Sequence, residues 1–458
     1  MKKSYRNLFL ISAFLVFAGY ADCEPSKIMA GNDPAPTKTP LSPDTPEELP
    51  QIDENTDLSD YLAYAALKNP GLRAAFFGWK AALEKVPEVT ALPDPRFTYS
   101  YFIQSVETRV GPQHQRFALS QTFPWFGKLK LMSNAAWENA QAERQRYEVV
   151  KLELFFRVKE AYYEYYYLAQ AIAIARENLN LVSYLENVAR TQYAAGVTSH
   201  ADIIRAQVEL GKLEDRLSTL NDLREPISAR LNAALNRPAS DLLPWPRRPA
   251  EEKAVFSQDE LLAWMKENNP ELKTVDFMTE RERWNIDLAG KNYYPDMTFE
   301  LGAIDTGRAV MPDVEDSGRD PYIGTLSINI PIWRNKYRAI EHQARYRYRA
   351  FLEERRDREN RLAADIKLTL YKYHDAERKI DLYKYTLTPK AEQSLGVNTE
   401  SYIAGKSSFL DIIDAERILL EFQLAYERAF ADRAQRLAEL EMLVGKEIPK
   451  TAGERNTR

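Results

Sequence analysis

Apolar and polar residues alternate in four short segments of this chain. A period of two places all the apolar side chains of a segment on one face, which predicts a β-strand with one apolar face. In the first segment, Phe97, Tyr99 and Tyr101 fall on one face, whereas Thr98 and Ser100 fall on the other. Each segment is about nine residues long, the length that a tilted strand needs to cross a bilayer. The predicted strands are residues 96–104, 115–123, 297–304 and 322–330.

Long segments with a helical pattern follow each strand pair. Residues from Lys128 to Thr191 include no proline, so they predict a helix of about 95 Å at 1.5 Å per residue. Such a helix is too long for a compact globule and implies a bundle or a tube. The matching segment, from about Asn335 to Ser401, is interrupted only at Pro389, where we expect a kink.

The second half of the chain repeats the landmarks of the first half in the same order. Tyr193-Ala-Ala-Gly-Val-Thr-Ser-His-Ala-Asp-Ile-Ile returns as Tyr402-Ile-Ala-Gly-Lys-Ser-Ser-Phe-Leu-Asp-Ile-Ile. We therefore expect an internal two-fold repeat, each copy with a strand pair and a long helical hairpin that turns at a glycine. The first repeat is residues 57–240, the linker 241–255 and the second repeat 256–448, with hairpin tips near 196 and 405.

The start of the chain has the order of a secretory signal peptide, which we assign to residues 1–21. Lysines and an arginine precede an apolar stretch, and the small-residue pattern Gly19-Tyr20-Ala21 follows it, so the mature chain is expected to be exported. The alternative is an N-terminal helix of a cytosolic protein. Residues 22–56 are rich in proline and predict an extended tether, and residues 449–458 predict a disordered tail.

Cys23 is the single cysteine, which excludes a disulfide within the chain. Its place just beyond the expected cleavage site makes it a candidate lipid acceptor. The alternative is a free thiol after cleavage at Ala21.

Composition excludes several classes of function. The 62 basic and 67 acidic residues include no strongly basic block, which argues against nucleic acid as a partner. Beyond the start, no apolar run reaches 18 residues, so no helix is expected to span a membrane. The four histidines are scattered, and the chain has no phosphate-binding glycine loop or nucleophile elbow. We therefore predict no enzyme, no metal site and no cofactor.

The strand pairs have two interpretations. Each pair alone is typical of a half-buried sheet in a soluble protein. Export and the isolation of the pairs between long helices favour strands in a membrane, where open sheet edges cannot persist. Four strands are too few to close a barrel, so the chain is expected to oligomerise. The sequence predicts a mainly α fold with a small β part.

Several motifs together resemble the TolC-type outer-membrane efflux proteins. They are the Tyr-x-x-Gly turns with their following Asp-Ile-Ile and the run Ser-Gln-Thr-Phe-Pro-Trp-Phe-Gly-Lys at 120–128, in an order that covers residues 57–448. The resemblance implies a homotrimer in the outer membrane of a Gram-negative bacterium. Long antiparallel helical hairpins would form a trimeric α-barrel in the periplasm, and four strands per protomer would complete a 12-stranded β-barrel. The tips would meet a periplasmic adaptor (membrane fusion) protein joined to an inner-membrane pump, of the proton-driven RND type.

The resemblance also implies roles for residues at the hairpin tips. Asp411 and Asp414 match paired aspartates that line the narrowest part of the tunnel, and Asp202 and Tyr402 match residues that latch the closed state. The family's cross-gate arginine falls here at Ser407, so we expect Arg205 to pair with a neighbouring aspartate instead. The residues alone favour a different role, in which Asp411 or Asp414 caps a helix that starts near Ser407 and Ser408. The residues expected to contact the adaptor are Gly196, Val197, Ser199, Gly405 and Ser408.

The function that the resemblance implies is passive exit of metal ions or drugs from a tripartite pump, gated at the periplasmic tip. The Phe-Pro-Trp-Phe-Gly-Lys form resembles the heavy-metal branch, although no cluster of Met or His supports metal handling. A type I protein secretion duct shares the fold. A third interpretation is that the chain is a periplasmic coiled-coil scaffold without a transport function.

Overall fold

A computed structural model describes residues 52–249 and 251–452. The expected signal peptide, Cys23 and nearly all of the tether lie outside these residues. The described chain is mainly helical with a small antiparallel sheet, which confirms the predicted mainly α fold with a small β part. The helices are α1 Leu58–Lys68, α2 Pro70–Thr90, α3 Lys128–Ala194, α4 His200–Asp222, α5 Arg224–Leu235, α6 Gln258–Asn268, α7 Pro270–Lys291, α8 Arg334–Leu382, α9 Thr388–Ile403 and α10 Phe409–Val444. The strands are β1 Arg96–Val106, β2 Gln113–Phe123, β3 Glu252–Ala254, β4 Met297–Thr306, β5 Tyr322–Ile328 and β6 Lys450–Ala452.

The four long strands form one sheet in the order β1-β2-β4-β5, and every neighbouring pair is antiparallel. Each strand lies within two residues of the bounds that the alternation predicts. The register places Phe117 beside Tyr99 and Ala303, and Leu301 beside Leu119. Because the pairs align residues of the same kind, one face of the sheet is apolar throughout its width.

The opposite face of the sheet is polar. Arg116 forms an ion pair with Glu300 at 2.5 Å across β2 and β4, and the hydroxyls of Thr122 and Thr298 lie 2.9 Å apart. Strands β1 and β5 lie at the edges and pair with no further strand in the part of the chain that the structure describes.

Helix α3 is the longest helix among the described residues. Its 67 residues extend about 100 Å, and it packs against α2, α4, α7 and α10. None of the helices in the described residues is both long and apolar enough to cross a membrane.

The expected interruption near Pro389 lies one turn earlier. Residues Tyr383–Leu387 form a π-helical segment, and Pro389 occupies the second position of α9. Since proline has no amide hydrogen to donate, the regular hydrogen-bond pattern changes in the preceding turn.

A second, two-stranded sheet lies outside the two predicted repeats. Strand β3 lies within the predicted linker 241–255 and pairs with β6 at the start of the predicted disordered tail. Three-residue strands are too short for a period of two to stand out. Each strand is held by hydrogen bonds to the other, which lies far away in the sequence. A local pattern therefore cannot predict either strand.

Two asparagines join the short helices to the long ones. Asn69 and Asn269 each cap a helix that begins with proline. Proline is tolerated at this first position because an amide hydrogen there would have no acceptor within the helix. The Asn269 side chain also donates to the Leu443 carbonyl at 2.8 Å and is 2% exposed. Asn69 makes the equivalent bond to the Ala234 carbonyl at 3.0 Å.

Replacing Asn269 with alanine is therefore expected to lower the free energy of unfolding by about 2–3 kcal/mol. The change removes a helix cap and leaves the buried Leu443 carbonyl without its donor. Chemical denaturation followed by circular dichroism would measure the loss. Asn268→Ala is the matched control, because among the described residues the Asn268 side chain donates only to the Trp264 carbonyl of its own helix. Equal losses in the two variants would contradict this role for Asn269.

Candidate gate at the hairpin tips

The two long hairpins turn in the same way. Gly196 and Gly405 adopt φ values of 75° and 71°, a left-handed conformation that glycine adopts without strain. The amide of Gly196 donates to the Tyr193 carbonyl at 2.9 Å, and the amide of Gly405 donates to the Tyr402 carbonyl at 2.9 Å. These bonds end α3 and α9 and reverse the chain within a few residues.

The helices after the two turns begin differently. Ser408 caps α10 and forms a capping box, in which Asp411 accepts from the Ser408 amide at 3.0 Å. Ser199 caps α4 without a side-chain hydrogen bond. In a single protomer Asp411 is therefore a capping residue, as the residues alone allowed. Its side chain is exposed, so capping leaves the carboxylate accessible to ions.

Tyr402 lies at the centre of a buried cluster between the two tips. It is 2% exposed, and its ring lies 5.4 Å from that of Phe409. Burial raises the pKa of Tyr402, the Thr198 hydroxyl offsets part of this rise, and the charge of Asp202 adds to it. Asp202 directly precedes Ile203, which packs in the same buried cluster as Tyr402, so the two residues expected in the latch lie near one another.

Arg205 forms an ion pair with Asp202, at 3.1 Å between Nη1 and Oδ1. The two residues lie one turn apart on α4, and the arginine side chain is 51% exposed. A pair of this kind contributes at most about 1 kcal/mol. Arg205 therefore has an aspartate partner in its own helix and makes no ion pair with Asp411 or Asp414 within the described residues.

Arg417 connects the hairpins, and sequence reasoning missed it. Its guanidinium donates to Glu209 of α4 and lies 3.5 Å from the Asp414 carboxylate on its own helix. Burial by itself would raise the pKa of Glu209, but the hydrogen bond and the charge of Arg417 outweigh it and lower that pKa. The bridge joins residues far apart in sequence, which no local pattern reveals.

Glu416 is the second residue that sequence reasoning missed. Its side chain is 0% exposed, and neither carboxylate oxygen has a hydrogen-bond partner in the described part of the chain. Burial and the charge of Glu209 raise the pKa of Glu416 to about 7, against the influence of Arg417 and Arg216. One feature of the sequence indicated that Glu416 is buried. It follows Ile412 by four positions, so the two side chains lie on the same apolar face of the helix.

The remaining predicted residues lie at the outer end of the tips. Asp414 is exposed, with 57% of its side chain accessible. The five residues expected to contact an adaptor are exposed as well, namely Gly196, Val197, Ser199, Gly405 and Ser408. Among the described residues, no group of three or more His, Cys, Asp or Glu side chains is placed to hold a metal ion.

Comparisons with known proteins agree with this architecture. The family described as outer membrane efflux protein matches residues 62–237 and 261–446. The cobalt-zinc-cadmium resistance protein CzcC of Cupriavidus metallidurans is 25% identical over 332 residues, which cover 70% of this chain and 74% of CzcC. The probable outer membrane lipoprotein SilC of Salmonella typhimurium is 23% identical over 375 residues, which cover 79% and 77%.

A solved structure shows the same fold. The open state of the MtrE outer membrane channel of Neisseria gonorrhoeae superposes with a TM-score of 0.69 at 19% identity, covering 90% of this chain and 97% of MtrE. The proteins that share the family and the fold are outer-membrane channels and not enzymes. Since the family match extends over most of the chain, the chain belongs to the outer membrane efflux protein family and is an efflux channel of the outer membrane.

Proposed function

We propose that three copies of the chain form a channel through which metal cations leave a tripartite efflux pump. The proposal is supported above all by the structure of the four-stranded sheet. It has an apolar face for lipid, a polar face with the Arg116–Glu300 pair, and two unpaired edges. Three four-stranded sheets joined at those edges would close a barrel of twelve strands, within the range of membrane barrels.

The long hairpins would continue this barrel as a tunnel through the periplasm. A helix of 67 residues reaches about 100 Å, far beyond the thickness of a bilayer. The exposed turns at Gly196 and Gly405 are then the natural contact for a periplasmic adaptor protein, which would join the channel to a proton-driven inner-membrane pump. The channel itself would be passive, with the energy supplied by that pump.

The tips would act as the gate. Asp411 and Asp414 are exposed and lie one turn apart on α10, so three copies would set six carboxylates around one axis. Such a ring attracts cations and repels anions. The Arg417–Glu209 bridge and the buried apolar cluster that contains Tyr402 and Ile203 hold the two hairpins of a protomer together. Opening would need the hairpins to shift against one another.

Two further features bear on substrate and membrane attachment. CzcC is named for resistance to cobalt, zinc and cadmium, and acidic tips suit divalent cations better than hydrophobic drugs. SilC is named as a probable lipoprotein, which supports Cys23 as a lipid acceptor in the mature chain.

Resistance assays test the proposed substrate. A deletion strain carrying the intact gene is expected to grow in cobalt, zinc or cadmium at several times the concentration that stops the empty strain, with little change for hydrophobic antibiotics. Copper and silver extend the panel. Protection against antibiotics alone would assign the channel to drug efflux, and protection against neither class would favour protein secretion or a scaffold without transport.

Electrophoresis of the unheated protein is the control for assembly. A closed barrel keeps its strands paired in detergent, so unheated trimers should migrate apart from boiled monomers and fractionate with outer membranes. A soluble monomer would contradict the channel whatever the growth assays show.

A further inference from the structure

We propose that a band of aromatic and cationic side chains at one end of the sheet binds the headgroups of anionic phospholipids. This surface, the junction band, lies where the strands end and the long helices begin. It consists of Tyr293, Tyr294, Trp333, Arg334, Lys336 and Arg338.

The register of the sheet locates the band. Phe123 pairs with Met297, and Met297 pairs with Ile328, so three strand ends lie side by side. The apolar face reaches this end, with Phe299 50% and Leu326 60% exposed. Arg334 begins α8 only six positions after Ile328. The band therefore lies at the depth where the chain leaves the hydrocarbon and enters the headgroup region.

The apolar side chains at this junction are strongly exposed. Trp333 is 71%, Ile332 63% and Phe126 72% exposed. Tyr294 stacks on Trp125 with ring centroids 5.2 Å apart, which extends the aromatic surface across the strand ends. Tryptophan and tyrosine concentrate at membrane interfaces because their rings are apolar and their N–H and O–H groups are polar.

Cationic groups lie against these rings. The Arg334 guanidinium lies 5.8 Å from the Tyr293 ring, and the Lys336 ammonium lies 5.7 Å from the Tyr337 ring. The two rings are themselves 5.7 Å apart. The cations are thus arranged over one connected aromatic surface.

Within residues 52–249 and 251–452, no acidic side chain neutralises the cations of the band. Among the described residues, Arg334, Lys336 and Arg338 form no ion pair. The nearby carboxylates are already engaged, since Asp296 binds Lys128 at 2.8 Å and Glu341 binds Arg345 at 2.6 Å. Three unpaired cations beside exposed aromatic side chains favour a ligand with both a phosphate and an apolar body. An anionic phospholipid has both, whereas a free phosphate would leave Trp333 uncovered.

Native mass spectrometry of lipid binding tests the proposal. The full-length protein would be purified in detergent, incubated with equimolar phosphatidylglycerol and phosphatidylcholine, and its bound lipids counted. We expect the wild type to retain phosphatidylglycerol in excess. K336Q/R338Q should lower the ratio of the two bound lipids at least about fivefold, because each cation near an anionic surface contributes roughly that factor.

R347Q/R349Q is the matched control. Arg347 and Arg349 are also exposed, have the same spacing and form no ion pair within the described residues, but they lie about 16 Å further along α8. Their removal should change the ratio less than twofold. Equal effects of the two double variants, or no preference in the wild type, would overturn the proposal. So would oligomers of K336Q/R338Q that dissociate with an unchanged lipid ratio, which would make the band a contact between copies of the chain.

A salt series on the wild type does not depend on any variant folding. Screening by 0.5 M salt should reduce the retained phosphatidylglycerol severalfold and leave phosphatidylcholine unchanged. Retention that is insensitive to salt would contradict headgroup binding by the cations.

Discussion

Glu416→Gln is expected to raise the free energy of unfolding by about 3 kcal/mol at pH 8 and to change it little at pH 4.5. The wild-type carboxyl is fully buried without a hydrogen-bond partner in the described residues. Its pKa is about 7 in the folded protein, against an ordinary glutamate value of 4.5. Each pKa unit corresponds to about 1.4 kcal/mol, and glutamine has the same shape without the charge.

The sign of the pH dependence follows from proton binding. Below pH 4.5 the carboxyl of Glu416 is protonated in both the folded and the unfolded chain, so its burial costs no ionisation. Between pH 4.5 and 7 the unfolded chain loses this proton while the folded chain keeps it, so stability falls as pH rises. Above pH 7 the folded protein buries the charge and the full cost remains.

Thermal or chemical unfolding of both proteins from pH 4.5 to 8 measures this difference. The charged groups that act on Glu416 are Glu209, Arg417 and Arg216, and all three remain in the variant. Glu421→Gln is the control, because Glu421 is an exposed acid on the same helix. Parallel stability curves for the wild type and Glu416→Gln would show that the buried carboxyl is not the source of the pH dependence.

Replacing both Asp411 and Asp414 with asparagine is expected to lower the cation-to-anion permeability ratio about tenfold. This expectation depends on the proposed trimer. In three copies, the two substitutions remove six negative charges from the narrowest part of the tunnel. Arg417 lies 3.5 Å from Asp414, and the aspartate side chain is 57% exposed, so its charge is only partly neutralised. Asparagine retains a side-chain oxygen that can accept from the Ser408 amide, so the capping box of α10 is kept.

Reversal potentials of the purified channel in planar bilayers, under a KCl gradient, measure the change in selectivity. Glu421→Gln is the matched control, because it removes one carboxylate from the same helix face about 10 Å from Asp414. Its effect should be smaller. An unchanged reversal potential in the double variant would place the selective constriction away from the tips.

Much of the architecture could be predicted because its signals are local. The period of two placed the four long strands to within two residues, and the strand lengths indicated a membrane. Gly196 and Gly405 marked the hairpin turns, since only glycine adopts their left-handed conformation without strain. The role of Asp411 was predictable only as two alternatives, because a capping residue and a gate residue look the same in sequence.

The rest depended on contacts between distant parts of the chain. Strands β3 and β6 are too short to be recognised until they pair. The Arg417–Glu209 bridge and the burial of Glu416 arise because two hairpins, separated by about half the chain, pack side by side. The sequence by itself determined where strands, helices and turns form, because these follow from the periodicity of neighbouring residues. Only the tertiary structure decided which charges meet and which lose their water, because solvation and Coulomb energies depend on distance in space and not on separation along the chain.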